Sequence, residues 1–426
     1  MAGIATGTAF KLGPNPADRL DSGNVFGPIT NNPIMPPVSG LWIDLTCDVL
    51  SVAVEAKSSR SDAAVARMES ATCTLIMRDP KRKYDPLNPS SPWMLNGSSR
   101  LTPGVPVKVW AELVSTGDPV TITRFTLFTG TADSWEEPWT PHANARRATL
   151  IASDATKDLA QRDWGEQAAV GTGDTVNQRI TRILSYYSYL GQTSLDTSTV
   201  TLQSTTLAQS AWELLLRSAD DEIGLVFFRP DGVLRFVNRG GWSANTPPLV
   251  TVGCPDAQYD IVTAATPGSN AIDVRNSISA ARTGGVAQRA TSDASVAKFG
   301  MFGYGRTDLG LQTDPQAATW ATFTLSFRAF PQANIQVVAL VPALNENSWA
   351  SVLALKRAED VFRLKWTPPG STDLYDVTGR AMGISHAISR TRWEVQWEVG
   401  LAAVSRKTFH IGAHAFDKLT DGNVMA

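Results

Sequence analysis

Between residues 393 and 399 apolar and polar positions alternate without a break. Trp393, Val395, Trp397 and Val399 face one way and Glu394, Gln396 and Glu398 the other, as in a strand with one buried side. Short apolar runs rich in β-branched residues recur at 41–55, 71–77, 105–113, 121–135 and 146–152, with turn residues between them. Strands spaced in this way predict a β-barrel or sandwich over 37–153. Residues 1–36 are crowded with Pro, Gly and Asn and carry no period, so they read as an extended arm that lies on a partner or moves freely.

After residue 153 the period changes. Val176, Ile180, Ile183, Leu184 and Tyr187 fall at helical spacing behind a Thr175/Gln178 capping box, with Gly191 as the stop. Leu207, Ala211, Leu214, Leu215 and Ser218 repeat those offsets behind a second pair, Thr206 and Gln209. "GLVFFRPDGVLRFVNR" then reads as a hairpin turning at Pro230, Asp231 and Gly232. Two helices against a small sheet predict an α+β middle domain over 154–250. Strand signals resume over 251–410 with one inserted helix, which Asp314 and Pro315 begin as N-cap and first-turn residue and which ends before Pro331. Residues 411–426 read as a tail. The expected fold class is mainly β, with two β-barrel or sandwich domains flanking a small helix-plus-sheet domain.

One echo links the outer domains. Thr129-Gly130-Thr131-Ala132 matches Thr378-Gly379-Arg380-Ala381, and each follows one strand (107–113, 361–366) and precedes another that begins near Arg146 or Arg392. Two copies of one β-fold would leave this trace, and so would chance over four residues.

Composition adds bounds. At 426 residues the chain exceeds the size at which one core stops growing, and its 43% hydrophobic content describes a globular chain. A net charge of −2 supplies no global field for nucleic acid or an anionic membrane. Charged residues are scarce at 18% and tryptophans plentiful at 13, a bias shared with surfaces buried in assemblies. No apolar stretch approaches a membrane span and no signal-peptide pattern opens the chain, so a protein made in a cytoplasm, without stable membrane insertion, is expected. Cys47 and Cys73 fall on neighbouring expected strands, where a disulfide and two buried thiols are both open; Cys254 stands apart.

Groups that could converge for catalysis are sparse. The four histidines (His142, His386, His410, His414) form no H-E-x-x-H pattern, no paired cysteines complete a zinc set, and no G-x-S-x-G elbow is present. "GTGDTV" (171–176) has Val176 where a dinucleotide fingerprint needs its third glycine, so it reads as a loop and helix cap. Asp220, Asp221 and Glu222 read as the solvated exit of a helix, and "GMFGYGR" (300–306) as packing aromatics between glycines. No catalytic, metal or cofactor residues are assigned.

"MRDPKRKYDPLNPSSPW" (77–93) is the densest feature. Arg78, Lys81, Arg82 and Lys83 suggest phosphate, but Asp79 and Asp85 offset half of that charge. Pro80, Pro86, Pro89 and Pro92 fix their own φ and cannot donate to a ladder, so the segment is a stiff connection leaving a strand, suited to docking.

That stretch, with "LWIDLTCDVLSVAVEA", "LTPGVPVKVWAEL", "LFTGTADSWEEPW", "ASDATKDLA", "VRNSISAARTGG", "SDASVAKFG" and the closing "VTGRAMGISHAISRTRWEVQWEV", resembles the minor tail proteins of long-tailed actinobacterial phages. These are similar to the baseplate hub or tail-tip proteins of tailed phages generally. The resemblance implies a homotrimer at the virion tail tip, assembled in the host cytoplasm, each chain giving two tube-like β domains to a sixfold ring. It also implies neighbours: an adjoining distal tail ring protein, the tape-measure protein, other tail-tip proteins and DNA in transit. The alternative is a cell-wall glycan-binding or glycan-degrading tail protein using Trp135 and Trp139. Its acid/base pair is missing, because Glu136 and Glu137 are adjacent and point to opposite faces of a strand.

Overall fold

The structure, a computed structural model, describes residues 6–7, 10–12 and 43–400 apart from 60–66, 115–121, 140–141, 143–144, 163–164, 166–167, 244–245, 255–260, 269–273, 331–333, 346–347, 368–374 and 390. The tail, with His410 and His414, lies outside the described residues.

The first part of the chain is all β. It runs through β1 (Thr6–Gly7), β2 (Phe10–Leu12), β3 (Ile43–Asp44), β4 (Val49–Ala56), β5 (Ser58–Ser59), β6 (Arg67–Met68) and β7 (Thr72–Arg78). After it come β8 (Met94–Leu95), β9 (Ser98–Ser99), β10 (Pro106–Val114), β11 (Ile122–Glu136) and β12 (Arg147–Ser153). The middle part holds α1 (Thr156–Gln161), α2 (Val176–Tyr186), β13 (Thr193–Leu195), α3 (Ala211–Glu222), β14 (Leu225–Phe228), β15 (Leu234–Val237) and α4 (Arg239–Ser243). Next are β16 (Val250–Cys254), β17 (Val262–Gly268), β18 (Ser277–Arg282), β19 (Gln288–Thr291), α5 (Asp293–Phe299), β20 (Gly303–Leu309) and α6 (Asp314–Arg328). The described chain closes with β21 (Asn334–Leu340), α7 (Trp349–Ala354), β22 (Val361–Trp366), β23 (Tyr375–Ser389) and β24 (Trp393–Gly400).

The mainly β class is as expected, but the outer β regions are not separate sheets. They form one, in the order β17-β21-β24-β23-β4-β7-β12-β11-β10-β2-β3, with β22 pairing β23 and β16. The join is the antiparallel pair β23–β4, from Ile384 opposite Ala56 to Ser389 opposite Ser51. Two cores lie against this sheet. One gathers Val52, Leu75, Tyr84, Trp93, Val109, Phe128 and Leu150, and the other Val252, Val338, Phe362, Leu364, Val395 and Trp397.

A third core holds the middle layer. Residues 277–328, placed by the sequence reading among the second set of β strands, pack there: Ile278, Ala280, Leu309, Ala317 and Trp320 share it with Ile180, Leu215 and Phe236. Because β17 and β21 are antiparallel neighbours, whatever joins them must leave the sheet, and it finds its cover on the helices. The arm departs from its expectation as well, since its described pieces β1 and β2 pair with this chain's own β10.

Three helix ends differ from the sequence reading. α2 has its Thr175/Gln178 box but stops at Ser188, which takes φ 53 while the Tyr189 N–H reaches the Leu184 carbonyl at 2.8 Å. Gly191 instead makes room for Tyr189, whose hydroxyl would lie 2.2 Å from a Cβ there. α3 starts four residues later than the Thr206/Gln209 pair implies, because Ser210 accepts the Glu213 N–H at 3.3 Å and becomes the cap. α6 is capped by Thr313 with Gln316, so Asp314 and Pro315 sit one place further in; first-turn N–H groups have no helical acceptor, so proline is tolerated there.

The echo at Gly130 and Gly379 is a close-approach position in both copies. A Cβ on Gly130 would lie 2.1 Å from the Ser153 carbonyl oxygen, and one on Gly379 2.7 Å from a Val399 methyl. Gly130→Ala is therefore expected to open the β11–β12 pair and lose at least about 2 kcal/mol, read as a lower urea midpoint; an unchanged midpoint would refute the tight register.

Candidate functional site

Residues 79–94 form a run of five consecutive turns. The N–H groups of Arg82, Asp85, Asn88, Ser91 and Met94 each bond the carbonyl three residues back, at 3.4, 3.5, 3.1, 3.0 and 3.0 Å. The prolines occupy the second position of four of these turns, behind Asp79, Asp85, Asn88 and Ser91, the residue types that favour the first position. The first-position side chains fasten the run. Asp85 accepts Leu87 N–H at 2.8 Å, Asn88 accepts Ser90 N–H at 3.1 Å, and Ser91 accepts Trp93 N–H at 3.2 Å. Buried Asp79 accepts both Lys83 and Tyr84 N–H groups at 2.6 Å. The turn without proline, at Arg82, needs φ 56 and is tied by the Arg82–Asp85 ion pair.

Tyr84 anchors the run to the sheet. Its ring is fully buried, 6.2 Å from Trp93 and 6.4 Å from Trp135, and its hydroxyl donates to Asp48 at 2.6 Å. Asp48 also holds Lys83 at 2.7 Å, so two of the four cations suspected of meeting phosphate are paired internally. A basic patch is not what this loop presents. It presents Leu87, 73% exposed, and beside it Trp139, 69% exposed. Trp139 donates from Nε1 to Asp85 at 3.3 Å with the Arg82 guanidinium over its ring. Trp135, the other tryptophan suggested for glycan contact, is half-buried against Tyr84 and unavailable as a second platform.

Glu137 lies under the same loop. Burial pushes its carboxyl up to about 7, and the neighbouring Asp79 and Asp85 charges add to the shift. The folded-state value lies above the ordinary 4.5, so the folded protein holds the proton more tightly. Its contribution to stability is fully present below about 4.5 and is lost as pH rises through about 7. Glu137→Gln is expected to raise the melting temperature at pH 8 and leave it nearly unchanged at pH 4. Asp221 and Glu222, also raised to about 7 by burial, act in the same direction and are common to both proteins, so the difference isolates Glu137. Equal melting temperatures at pH 8 would show that the carboxyl is not strained by its surroundings.

The two halves of the large sheet repeat one another in strand order and over much of their register, although the slips at Val109 in β10–β11 and at Thr266 in β17–β21 are not shared. β10-β11-β12-β7-β4 and β22-β23-β24-β21-β17 have the same strand order. Val107 faces Gly130 as Phe362 faces Gly379. Past Ala132 and Ala381 the register slips by one residue in both, leaving Asp133 and Met382 unpaired against β12 and β24. β4 and β17 share a second slip, after Val49 and after Val262. Beyond its slip β23 runs on to pair β4, and Ile388 of that extension is buried in the core of the first half.

The remaining sequence candidates serve structure. Asp174 in "GTGDTV" holds Arg182 at 2.7 Å and Arg179 at 3.2 Å, and Gly171 and Gly173 take positive φ, so the segment is a loop and cap. The acidic run ending α3 is not a solvated exit. Asp220 bonds Arg67 at 2.6 Å and lies 3.6 Å from Arg306, while buried Asp221 accepts the Gly310 N–H at 2.8 Å. His386 is buried at the seam, pushed down to about 4 by burial, and its Nδ1 accepts from Trp393 at 3.4 Å. Asn276 grips the loop of "GMFGYGR" through the Gly300 carbonyl and the Phe302 N–H, both at 2.7 Å, leaving Met301 exposed. Cys47 and Cys73 are free thiols, the first exposed and the second buried. Glu136 is exposed and Glu137 turns under the loop, and among the described residues no three His, Cys, Asp or Glu side chains are arranged to hold a metal ion. The sequence reading missed the turn run's repeat of three, visible as Asp-Pro, Asn-Pro and Ser-Pro steps, and it missed the seam, for which no local signal exists.

No family model matches the chain, and no curated protein matches it in sequence. Its fold does match solved structures. A tail protein from Neisseria meningitidis MC58 aligns with 82% of this chain and 92% of its own, at TM-score 0.53 and 12% identity. The 43 kDa tail protein of prophage MuSo2 from Shewanella oneidensis aligns with 82% and 94%, at TM-score 0.51 and 14% identity. The chain shares its overall fold with these two tail proteins, one of them from a prophage.

Proposed function

We propose that this protein is a structural tail-tip component of a tailed phage, a hub whose copies form a ring at the end of the tail tube. The observation that carries this reading is the repeated five-strand unit inside one continuous sheet. A threefold ring whose chains each contain two equivalent units can abut a sixfold tube without mismatch. Likeness in fold to two tail proteins, one of them from a prophage, supports it. In this reading each half of the sheet is a tube-like domain, and the middle layer with its 277–328 insertion projects from them. The ring meets an adjoining distal tail ring protein, the tape-measure protein and host-recognition parts, and lets DNA pass. The protein works by assembly, without turnover, and the stiff turn run at 79–94 is a docking element. Origin in a long-tailed actinobacterial phage follows from the sequence resemblance.

Antibody raised to the purified chain is expected to label particles at the distal end of the tail. Label along the shaft or on the capsid, or unlabelled particles that contain no such chain, would remove the hub reading. Release of sugars from host wall material by the purified chain would favour the glycan-degrading alternative.

A further inference from the structure

Within the chain, the β23 extension is buried because β4 pairs with it; among the described residues no strand pairs with its counterpart in the first half in that way. Counting on from the shared slip, Ser134 corresponds to Gly383 and Trp139 to Ile388. Ile388 lies opposite Val52 and is 6% exposed, whereas Trp139 is 69% exposed. The counterpart of Val52 is Ala265, since Val52 faces Leu75 and Leu75 faces Leu150, just as Ala265 faces Val338 and Val338 faces Trp397. Among the described residues β17 pairs on one side only, with β21, and stands at the end of the sheet. One chain therefore carries both halves of an interface that it makes once internally and leaves open once.

We propose that the edge of one copy that follows the β11 slip, Ser134 to Trp139, pairs antiparallel with β17 of a second copy in the register that β23 and β4 use within the chain, with Trp139 opposite Ala265. Trp139 then covers the half-buried Ala265, which packs against the core of Val252, Val338 and Phe362, as Ile388 joins the core of the first half. The exposed indole is thus a seam residue awaiting its neighbour, which accounts for a large aromatic left in solvent. Pro138 lacks an N–H, so this edge has fewer donors to offer a wrong strand. The contact is heterologous, with two different surfaces meeting, and such contacts repeat head to tail until they close. Closure at three copies rests on the hub reading; the pairing itself does not.

The test uses the full chain with Cys47 and Cys254 replaced by serine, carrying Trp139→Cys and Ala265→Cys and treated with a short bis-maleimide. Covalent dimers and trimers are expected from the double variant and none from either single variant. Trp139→Glu, on an exposed position that leaves the monomer folded by circular dichroism, is expected to weaken self-association at least about tenfold. Trimers in solution that neither cross-link at this pair nor weaken with Trp139→Glu would overturn the seam and leave the ring standing. Cross-links in a closed assembly of some number other than three would establish the seam and overturn the threefold hub. A chain that stays monomeric without cross-links at every concentration would overturn the seam.

Discussion

Trp397→Ala is expected to cost about 4 kcal/mol, the upper range for emptying a large buried aromatic site. Trp397 is fully buried in β24, between β21 and β23, with Val338 opposite on one side, Ile384 on the other and Phe362 at 4.9 Å. Strands pinned on both sides cannot collapse into the space, so the cavity persists. Trp397→Phe is a sharper probe. Among the described residues the indole Nε1 has no hydrogen-bond partner, so phenylalanine loses volume but no bond and should cost only about 1–1.5 kcal/mol. Urea unfolding followed at this core checks both; a Trp397→Ala midpoint within error of the parent would mean that this core does not hold the second half together.

Arg357→Met should be nearly as damaging, about 3 kcal/mol, by a different route. The guanidinium is 2% exposed and, among the described residues, donates to carbonyl oxygens alone: Met382 at 2.9 Å, Glu69 at 3.3 Å, and Lys57. Burial without a carboxylate bond draws its pKa down to about 10. Methionine fills much of the volume, but the carbonyls remain and lose their donor, and an orphaned buried acceptor is what makes such a change expensive. Because Lys57 and Glu69 flank β5 and β6 while Met382 is the slipped residue of β23, the damage should concentrate at the junction of the two halves. Hydrogen exchange of residues 57–59 and 67–69 in the variant should rise well before global unfolding. Exchange unchanged from the parent would show that Arg357 does not clamp this junction.

How far the sequence could be read depended on whether the deciding contacts were local. The alternation from Trp393 to Val399 and the α2 capping box are local patterns, and both appear as expected. The start of α3 was ambiguous because Thr206/Gln209 and Ser210/Glu213 both carry cap chemistry; the choice falls to Ser210, where the Ala211 N–H also meets the Arg162 carbonyl at 3.2 Å. The destination of residues 277–328 was not legible, since nothing within them says which distant helices will cover Trp320 and Ala317. The four-residue echo pointed to a repeat, but its meaning lies in the strand order that ten strands share and in the slips common to both halves, which pairing partners set. Proline spacing at 80–92 announced turns; that they join into one rigid run depends on Arg82 accepting a positive φ at the one step without proline.

The central claim is that two equivalent units per chain serve a threefold ring, so the most direct measurement is the number of copies of this chain per purified tail, by quantitative mass spectrometry against the major tube protein. Three copies per tail is the expected result, and six, the number for a ring with one unit per chain, would contradict it.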